Sequence, residues 1–149
     1  MKIRIAQRKD TALILEFIKG IASYERLLDQ VEATPSLLEE WLFDKNIGEV
    51  AFVMEEEKEV GFVLYFYNFS TFVGKAGLYI EDLYVSPEYR GKGYGKALIT
   101  HVFDKAREEG LKRVEWTCLD WNTTAREFYK SLGATPMEEW TNFRFLLNS

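Results

Sequence analysis

The residue pattern with the clearest chemistry is a glycine-rich segment at 86–97, which lies between a predicted strand and a predicted helix. Within it, Gly91, Gly93 and Gly95 alternate with other residues. Glycine lets the backbone adopt positive φ and approach a ligand closely, so successive N–H groups can point at one anion. The helix start adds unpaired N–H groups, and the segment therefore predicts a phosphate-binding turn. Three basic side chains in this segment could add positive charge: Arg90, Lys92 and Lys96.

Two familiar phosphate loops are excluded by the spacing. A Walker A loop has four residues between its glycines and a Ser or Thr after its lysine, whereas three residues separate Gly91 from Gly95, and Ala97 follows Lys96. The dinucleotide fingerprint G-x-G-x-x-G is one residue longer than the pattern found here. A turn that holds no ligand is the alternative, and the basic residues at the helix start argue against it.

Composition narrows the class of protein further. The chain has 149 residues, which fits one domain at 1–149, and 19 basic against 24 acidic residues give a net charge of −5. That balance argues against a nucleic-acid partner, whose phosphates are bound by Lys and Arg. One cysteine, Cys118, and one histidine, His101, exclude a disulfide framework and argue against a metal site. His101 lies between Leu98 and Val102 on a predicted helix, where we expect it to pack or to be partly exposed.

No apolar stretch approaches the roughly 20 residues that cross a bilayer, and the first residues lack the apolar core of a signal peptide. We therefore expect no membrane partner and a cytoplasmic location. Hydrophobic periodicity and turn residues predict strands at 2–6, 49–55, 59–69, 78–86, 113–119 and 143–147. They predict a first helix capped by Asp10, and a second that begins with Thr34 as its N-cap and Pro35 at its first position and runs through Phe43. Two further helices are predicted at 96–109 and, with Asn122 as its cap, at 123–131. This order predicts an α/β or α+β domain around one sheet.

With these motifs and elements in place, the chain resembles the Gcn5-related N-acetyltransferases, the GNAT family. The family motif Arg/Gln-x-x-Gly-x-Gly/Ala is matched at Arg90–Gly95, between a strand and a helix and followed by a strand that ends near Asn122. Within the family the chain is most similar to the diamine acetyltransferases that act on spermidine, spermine or thialysine. The similar segments are 23–25, 61–65, 73–75, 79–85, Asn122 and 128–130.

The resemblance implies a GNAT fold, a mixed and mostly antiparallel sheet that is splayed at its centre and flanked by helices. It also implies acetyl-CoA as the acetyl donor, with its pantetheine arm along the strand at 83–85. The pyrophosphate would be held by the turn, and the last helix would flank the cofactor. The cofactor-binding residues implied are Leu83, Tyr84, Val85, Arg90, Gly91, Lys92, Gly93, Tyr94, Gly95, Lys96, Asn122, Ala125 and Tyr129.

Acetyl transfer to an amine needs a base, because an alkylamine is almost wholly protonated at neutral pH. By the resemblance Glu81 is the candidate base, acting through water, and the alternative for it is a strand carboxylate in a salt bridge. Adjacent strand residues face opposite sides, so either Glu81 or Asp82 is expected to face the substrate. Tyr129 is the candidate acid for the departing thiolate, since a phenol is protonated at neutral pH; its alternative is an aromatic core anchor. A backbone N–H of the 83–85 strand would polarise the acetyl carbonyl.

A small diamine would be recognised by separated carboxylates and aromatic faces. Phe72 occupies a position where related polyamine enzymes have Trp, and Leu132 replaces a basic residue expected near the phosphates of the cofactor. The sequence therefore does not decide whether the amine substrate is polyamine-like or amino-acid-like. A protein acetyltransferase and a non-catalytic acyl-CoA sensor are the alternative functions, and a homodimer is expected from the family. The substrate-binding candidates that the resemblance implies are Tyr24, Glu25, Glu81, Asp82, Glu115 and Glu139.

Overall fold

A computed structural model describes residues 1–147. Its contacts divide the chain into two compact units, Met1–Thr117 and Cys118–Ser149. The expectation that 1–149 form one domain stays a prediction. None of the helices formed by the described residues is both long and apolar enough to span a membrane.

The first unit is built on one mixed sheet of five strands in the order β1-β2-β3-β4-β5. Neighbouring strands are antiparallel from β1 to β4, and β5 joins β4 in parallel. The sheet is open, and it is mixed and mostly antiparallel, as the family resemblance implied. The strands are β1 (Lys2–Ile5), β2 (Glu49–Glu55), β3 (Lys58–Ser70), β4 (Lys75–Val85) and β5 (Val114–Trp116).

Three helices belong to the first unit. They are α1 (Thr11–Tyr24), α2 (Pro35–Leu38), which continues as a π-helical turn at Glu39–Asp44, and α3 (Tyr94–Glu108). The predicted cap of α2 is confirmed, because the Leu37 N–H donates to Thr34 Oγ1 at 3.1 Å. The predicted cap of α1 is wrong, because the Asp10 side chain makes no capping hydrogen bond to the helix. Asp10 precedes the helix, but its carboxylate accepts hydrogen bonds from Arg4 and from the Gln7 N–H.

Helix α1 packs against the sheet through an aromatic core. Phe17 stacks on Phe62 at 5.5 Å between ring centroids and also contacts Phe52 and Tyr84. Helix α3 brings its own apolar residues, among them Leu98 and Val102, into a fully buried position. Burial of apolar surface on α1 and α3 fixes the strands that carry the candidate site.

Within its described residues, 118–147, the second unit contains one helix, α4 (Thr123–Ser131), with the bounds that the sequence predicted. Its cap is also confirmed, since the Ala125 N–H donates to Asn122 Oδ1 at 3.2 Å. The strand predicted at 143–147 is wrong, because these residues form neither helix nor strand. The strand predicted at 113–119 is reduced to Val114–Trp116.

Candidate active site

The sheet opens beside β4 at the position of Glu81. Strand β5 pairs with β4 at Leu78, Tyr79 and Ile80, and among the described residues no strand continues that pairing toward Val85. On the other side, β3 pairs along the whole of β4. The outer edge of β4 from Glu81 to Val85 therefore has backbone groups that a ligand could pair with.

The hydrogen bond that follows β4 shows which groups point to this edge. The Ser86 N–H donates to the Val60 carbonyl of β3 at 2.9 Å. Because alternate residues of a strand direct their backbone groups to opposite sides, Leu83 and Val85 direct theirs away from β3. The predicted pairing of these two residues with an extended ligand is thus geometrically possible. The Val85 carbonyl, however, already accepts from Arg90 Nε at 2.9 Å.

A β-bulge marks the same point of β4. Leu64 lies opposite Asp82 and the next residue of β3, Tyr65, lies opposite Ile80, so Glu81 is the additional residue. A bulge bends a strand and redirects its side chains, and bulges are frequent beside active sites. Glu81 is exposed, whereas Asp82 is half-buried.

Three carboxylates interact at the bulge. Burial raises the pKa of Asp82 to about 7, and the negative charges of Glu81 and Glu25 add to that effect. Burial, followed by the charge of Glu81, also raises the pKa of Glu25. These three residues form an acidic cluster that would attract a cation. Tyr24, the neighbour of Glu25, lies against the guanidinium of Arg90 at 4.8 Å from its ring centroid.

The end of α1 is shaped to place Glu25. The Leu27 N–H donates to the Ala22 carbonyl and the Arg26 N–H to the Ser23 carbonyl, the two bonds of a Schellman motif. Arg26 has φ of 63°, in the left-handed region that favours glycine. A non-glycine residue in this region is strained, and such strain is frequent at functional sites.

The glycine-rich turn leads into α3 as predicted. Gly91 and Gly93 have φ of 78° and 90°, and Gly93 is the N-cap of α3. A glycine has no side chain with which to cap the first N–H groups of the helix. A Cβ on Gly91 would meet nothing within 4 Å, so the turn is open. These backbone groups fit the pyrophosphate of a nucleotide-type cofactor.

The side chains around the turn differ in what they contact. Tyr94 is buried and its hydroxyl donates to Glu55 Oε1 at 2.5 Å, so only its backbone could contribute to the turn. Lys92 lies over the Tyr89 ring at 5.5 Å from the centroid, and Lys58 lies 5.3 Å from the same centroid. Lys58 is the first residue of β3. No local signal shows that it lies near a turn more than 30 residues away.

The other candidates lie elsewhere. Glu115 lies opposite Tyr79 and accepts from Asn68 Nδ2 at 3.4 Å, on the part of β4 that precedes the bulge. His101 packs as predicted, because it is half-buried with Nε2 at 3.2 Å from the Tyr65 hydroxyl, and burial lowers its pKa. Among residues 1–147, no group of three or more His, Cys, Asp or Glu is arranged to hold a metal ion. The expectation that no metal takes part stays a prediction.

The second unit carries the remaining candidates. Tyr129 is half-buried on α4, and its ring lies 5.5 Å from that of Phe128. Asn122 and Ala125 form the cap of the same helix, and Glu139 is exposed in a turn beyond it. Since Glu81 belongs to the first unit and Tyr129 to the second, their joint action stays a prediction.

Comparison with known proteins identifies the family of the chain. Residues 16–134 match the family described as the Acetyltransferase (GNAT) family. The chain is 38% identical to a thialysine N-epsilon-acetyltransferase of Bos taurus over 159 residues, which cover 96% of this chain and 91% of that protein. It is 48% identical over 80 residues to an L-ornithine N5-acetyltransferase of Arabidopsis thaliana, over 54% of this chain and 35% of that protein.

A solved structure extends the likeness to the fold. An integron cassette protein from the mobile metagenome of V. cholerae superimposes with a TM-score of 0.81 and 29% identity. The match covers 99% of this chain and 93% of that protein. The predicted GNAT fold, with a mixed and mostly antiparallel sheet flanked by helices, is confirmed, and the chain belongs to the GNAT family of acetyltransferases as an N-acetyltransferase.

Proposed function

We propose that the protein transfers the acetyl group of acetyl-CoA to a primary amine of a small amino-acid-like or diamine substrate by direct attack. The observation that carries this proposal is the acidic cluster of Glu25, Glu81 and Asp82, which stands at the bulge where the β4 edge opens. A cationic amine would be attracted to this cluster, next to the strand edge along which an extended acetyl donor could pair. The names of the thialysine and ornithine acetyltransferase relatives favour amino acids with a side-chain amine.

The donor would be held by backbone groups. The N–H groups of the turn at 91–96 and of the first turn of α3 would bind the pyrophosphate, with Lys92 and Lys96 adding charge. Leu83 and Val85 would pair with the pantetheine arm, and Asn122 and Ala125 of α4 would flank it. When bound, acetyl-CoA supplies an activated acetyl group.

Two side chains are proposed to move protons. Glu81 would take a proton from the ammonium group through water, so that the neutral amine can attack. The Tyr129 hydroxyl would give a proton to the departing sulfur. A backbone N–H in the 83–85 strand, a fixed donor, would stabilise the negative charge that develops on the acetyl oxygen. Tyr24, Glu115 and Glu139 are proposed only as contacts to the rest of the substrate.

We also propose that the protein acts as a homodimer in the cytoplasm. The dimer is supported by the apolar side chains of the second unit that are exposed to solvent, among them Phe143 at 90% and Trp140 at 75%. Such a concentration of exposed apolar residues is typical of a protein–protein interface.

The test is a measurement of CoA thiol release from acetyl-CoA with thialysine, ornithine, putrescine, spermidine, lysine and short peptides as acceptors. We expect release with thialysine or ornithine. If CoA is released only with peptides, the substrate is a protein and not a small molecule. If the protein binds acetyl-CoA but releases CoA with none of the acceptors, it is a non-catalytic acyl-CoA sensor.

The proton donor is tested with Tyr129→Phe, which removes one hydroxyl and keeps the ring. Turnover should fall by about 10²- to 10⁴-fold, the usual contribution of a general acid, while acetyl-CoA affinity measured by calorimetry changes little. Phe128→Tyr is the matched control, since it alters the neighbouring ring on the same helix. Undiminished turnover in Tyr129→Phe would remove Tyr129 from the mechanism.

A further inference from the structure

Arg90 makes contacts that join three parts of the first unit. Its Nε–H donates to the Val85 carbonyl at 2.9 Å. Its guanidinium carbon lies 4.8 Å from the centroid of the Tyr24 ring and 5.4 Å from that of Tyr84. Both distances are within the range of cation–π attraction, about 6 Å. One side chain therefore connects the end of α1, the end of β4 and the glycine-rich turn.

The Tyr84 ring is a fixed support for this arrangement. It lies 6.2 Å from the Phe17 ring, and a Cβ on Gly20 of α1 would come within 2.8 Å of three of its side-chain atoms. Glycine in the interior of a helix is unfavourable by roughly 0.5–1 kcal/mol relative to Ala. Its presence in α1 is explained by the space that the Tyr84 side chain needs there.

The Tyr24 contact leads to the acidic cluster. Tyr24 is the last residue of α1, and Glu25 follows it as the C-cap, whose N–H donates to the Ile21 carbonyl. Glu25 in turn interacts electrostatically with Glu81. An arginine that fixes Tyr24 thus also restricts where the Glu25 carboxylate can lie relative to Glu81.

We propose that Arg90 is a positioning residue that holds Tyr24 and Glu25 at the amine site, and not a ligand of the cofactor phosphates. This inference rests on the proposed function, because it assumes that the acidic cluster binds the amine. The phosphate contacts then belong to the backbone of the turn and to Lys92 and Lys96. The Arg90 side chain is directed to β4 and to two tyrosine rings.

The geometry requires a guanidinium and not just a positive charge. The Nε–H donor to Val85 and a planar group beside two rings are properties of arginine that lysine lacks. Lysine also binds phosphate, as a point charge, so Arg90→Lys would keep the charge interaction of a phosphate ligand although not its bidentate geometry. Arg90→Lys therefore distinguishes the two roles.

The experiment compares two acetyl donors, acetyl-CoA and acetyl-pantetheine, which lacks the nucleotide phosphates, with thialysine as the acceptor. Arg90→Lys and Arg90→Met should both raise the KM for thialysine by about 10-fold, as expected for one cation–π contact and one hydrogen bond. The factor should be the same with either donor. Lys92→Met is the matched variant, and its loss in kcat/KM should be confined to acetyl-CoA.

A penalty of Arg90→Met that appears only with acetyl-CoA, and that Arg90→Lys restores, would overturn the proposal and assign Arg90 to the phosphates. Such a result leaves the proposed function intact. Absence of turnover by the wild type with any amine would instead overturn the proposed function.

A second measurement does not depend on turnover. Urea unfolding of Arg90→Met, Tyr24→Leu and the double variant reports whether the two side chains stabilise each other. If they do, the urea concentration at the unfolding midpoint should be no lower for the double variant than for the less stable of the two single variants. Additive losses would show that the two side chains act independently and would overturn the positioning role.

Discussion

At the scale of single residues, the bulge at Glu81 determines how the acidic cluster is formed. In a regular strand the side chains of Glu81 and Asp82 would lie on opposite faces of the sheet. The additional residue at Glu81 interrupts that alternation, and the charges of Glu81 and Glu25 both act on Asp82. Three carboxylates close together repel one another, and the fold keeps them there by other contacts. An ammonium substrate would relieve this repulsion, which favours binding of a cation.

The raised pKa of Asp82 gives a prediction for stability against pH. With a pKa of about 7 in the folded state, above the ordinary value of 3.8, the folded protein binds the proton more tightly than the unfolded chain does. The contribution of Asp82 is therefore present at acidic pH and is lost as the pH rises from about 4 through about 7. Asp82→Asn should flatten this fall, as measured by urea unfolding across the same pH range.

Glu88→Gln is the control for that experiment, because it also removes one carboxylate but at an exposed position in the 3-10 turn after β4. It should leave the slope between pH 4 and pH 7 largely as in the wild type. An unchanged slope in Asp82→Asn would mean that Asp82 does not bind a proton more tightly in the folded state.

At the scale of elements, most strands and helices were predictable because their patterns are local. The helix 123–131 and the strand 49–55 were predicted with the observed bounds, from a cap and from a run of apolar residues. The prediction of a strand at 143–147 was wrong because a strand also depends on non-local contacts. Its alternating pattern is that of a strand, but the backbone groups of a strand need a partner strand, which a local pattern does not reveal.

The candidate site was predictable to a similar extent. The glycine-rich turn follows from its own residues and spacing. Glu25 and Tyr24 could be connected with Glu81 only through the family resemblance, since they are more than 50 residues apart. The contacts of Arg90 with Tyr24 and of Lys58 with Tyr89 had no signal in the sequence, because side-chain packing between distant elements decides them.

The junction of β3 and β4 gives a prediction at this scale. A Cβ on Gly61 would lie 2.6 Å from the Tyr84 carbonyl oxygen, a backbone atom that cannot move away without separating the strands. Gly61→Ala should therefore destabilise the protein by about 1–3 kcal/mol, as measured by urea unfolding.

Gly95→Ala is the matched variant. Its Cβ would meet only a Val85 methyl at 3.8 Å, an ordinary contact, and Gly95 lies in α3. Because alanine allows the unfolded chain fewer conformations than glycine does, Gly95→Ala should leave the stability unchanged or raise it by about 0.5 kcal/mol. Equal stability of the two variants would show that the β3–β4 spacing does not depend on the absence of a side chain at Gly61.

At the scale of the whole molecule, the exposed apolar residues of the second unit call for an explanation. Phe143, Phe145 and Leu147 occupy alternate positions and are 90%, 86% and 86% exposed. A globular protein rarely leaves such a series in water, because burying each large apolar side chain contributes roughly 1.5–3 kcal/mol. A second copy of the chain would supply both a cover for these side chains and a partner for the segment that has a strand pattern but no strand.

This explanation leads to a prediction of the oligomeric state. The wild type should be a dimer in analytical ultracentrifugation, and Phe143→Ser together with Phe145→Ser should shift it toward the monomer, because the variant removes most of the apolar area that the partner covers. Phe72→Ser is the matched control, since Phe72 is 91% exposed but lies in the turn between β3 and β4, and it should leave the dimer intact. If Phe72→Ser dissociates the dimer and the double variant does not, the interface lies at the β3–β4 hairpin. A monomeric wild type would show that this segment is not covered by a second copy.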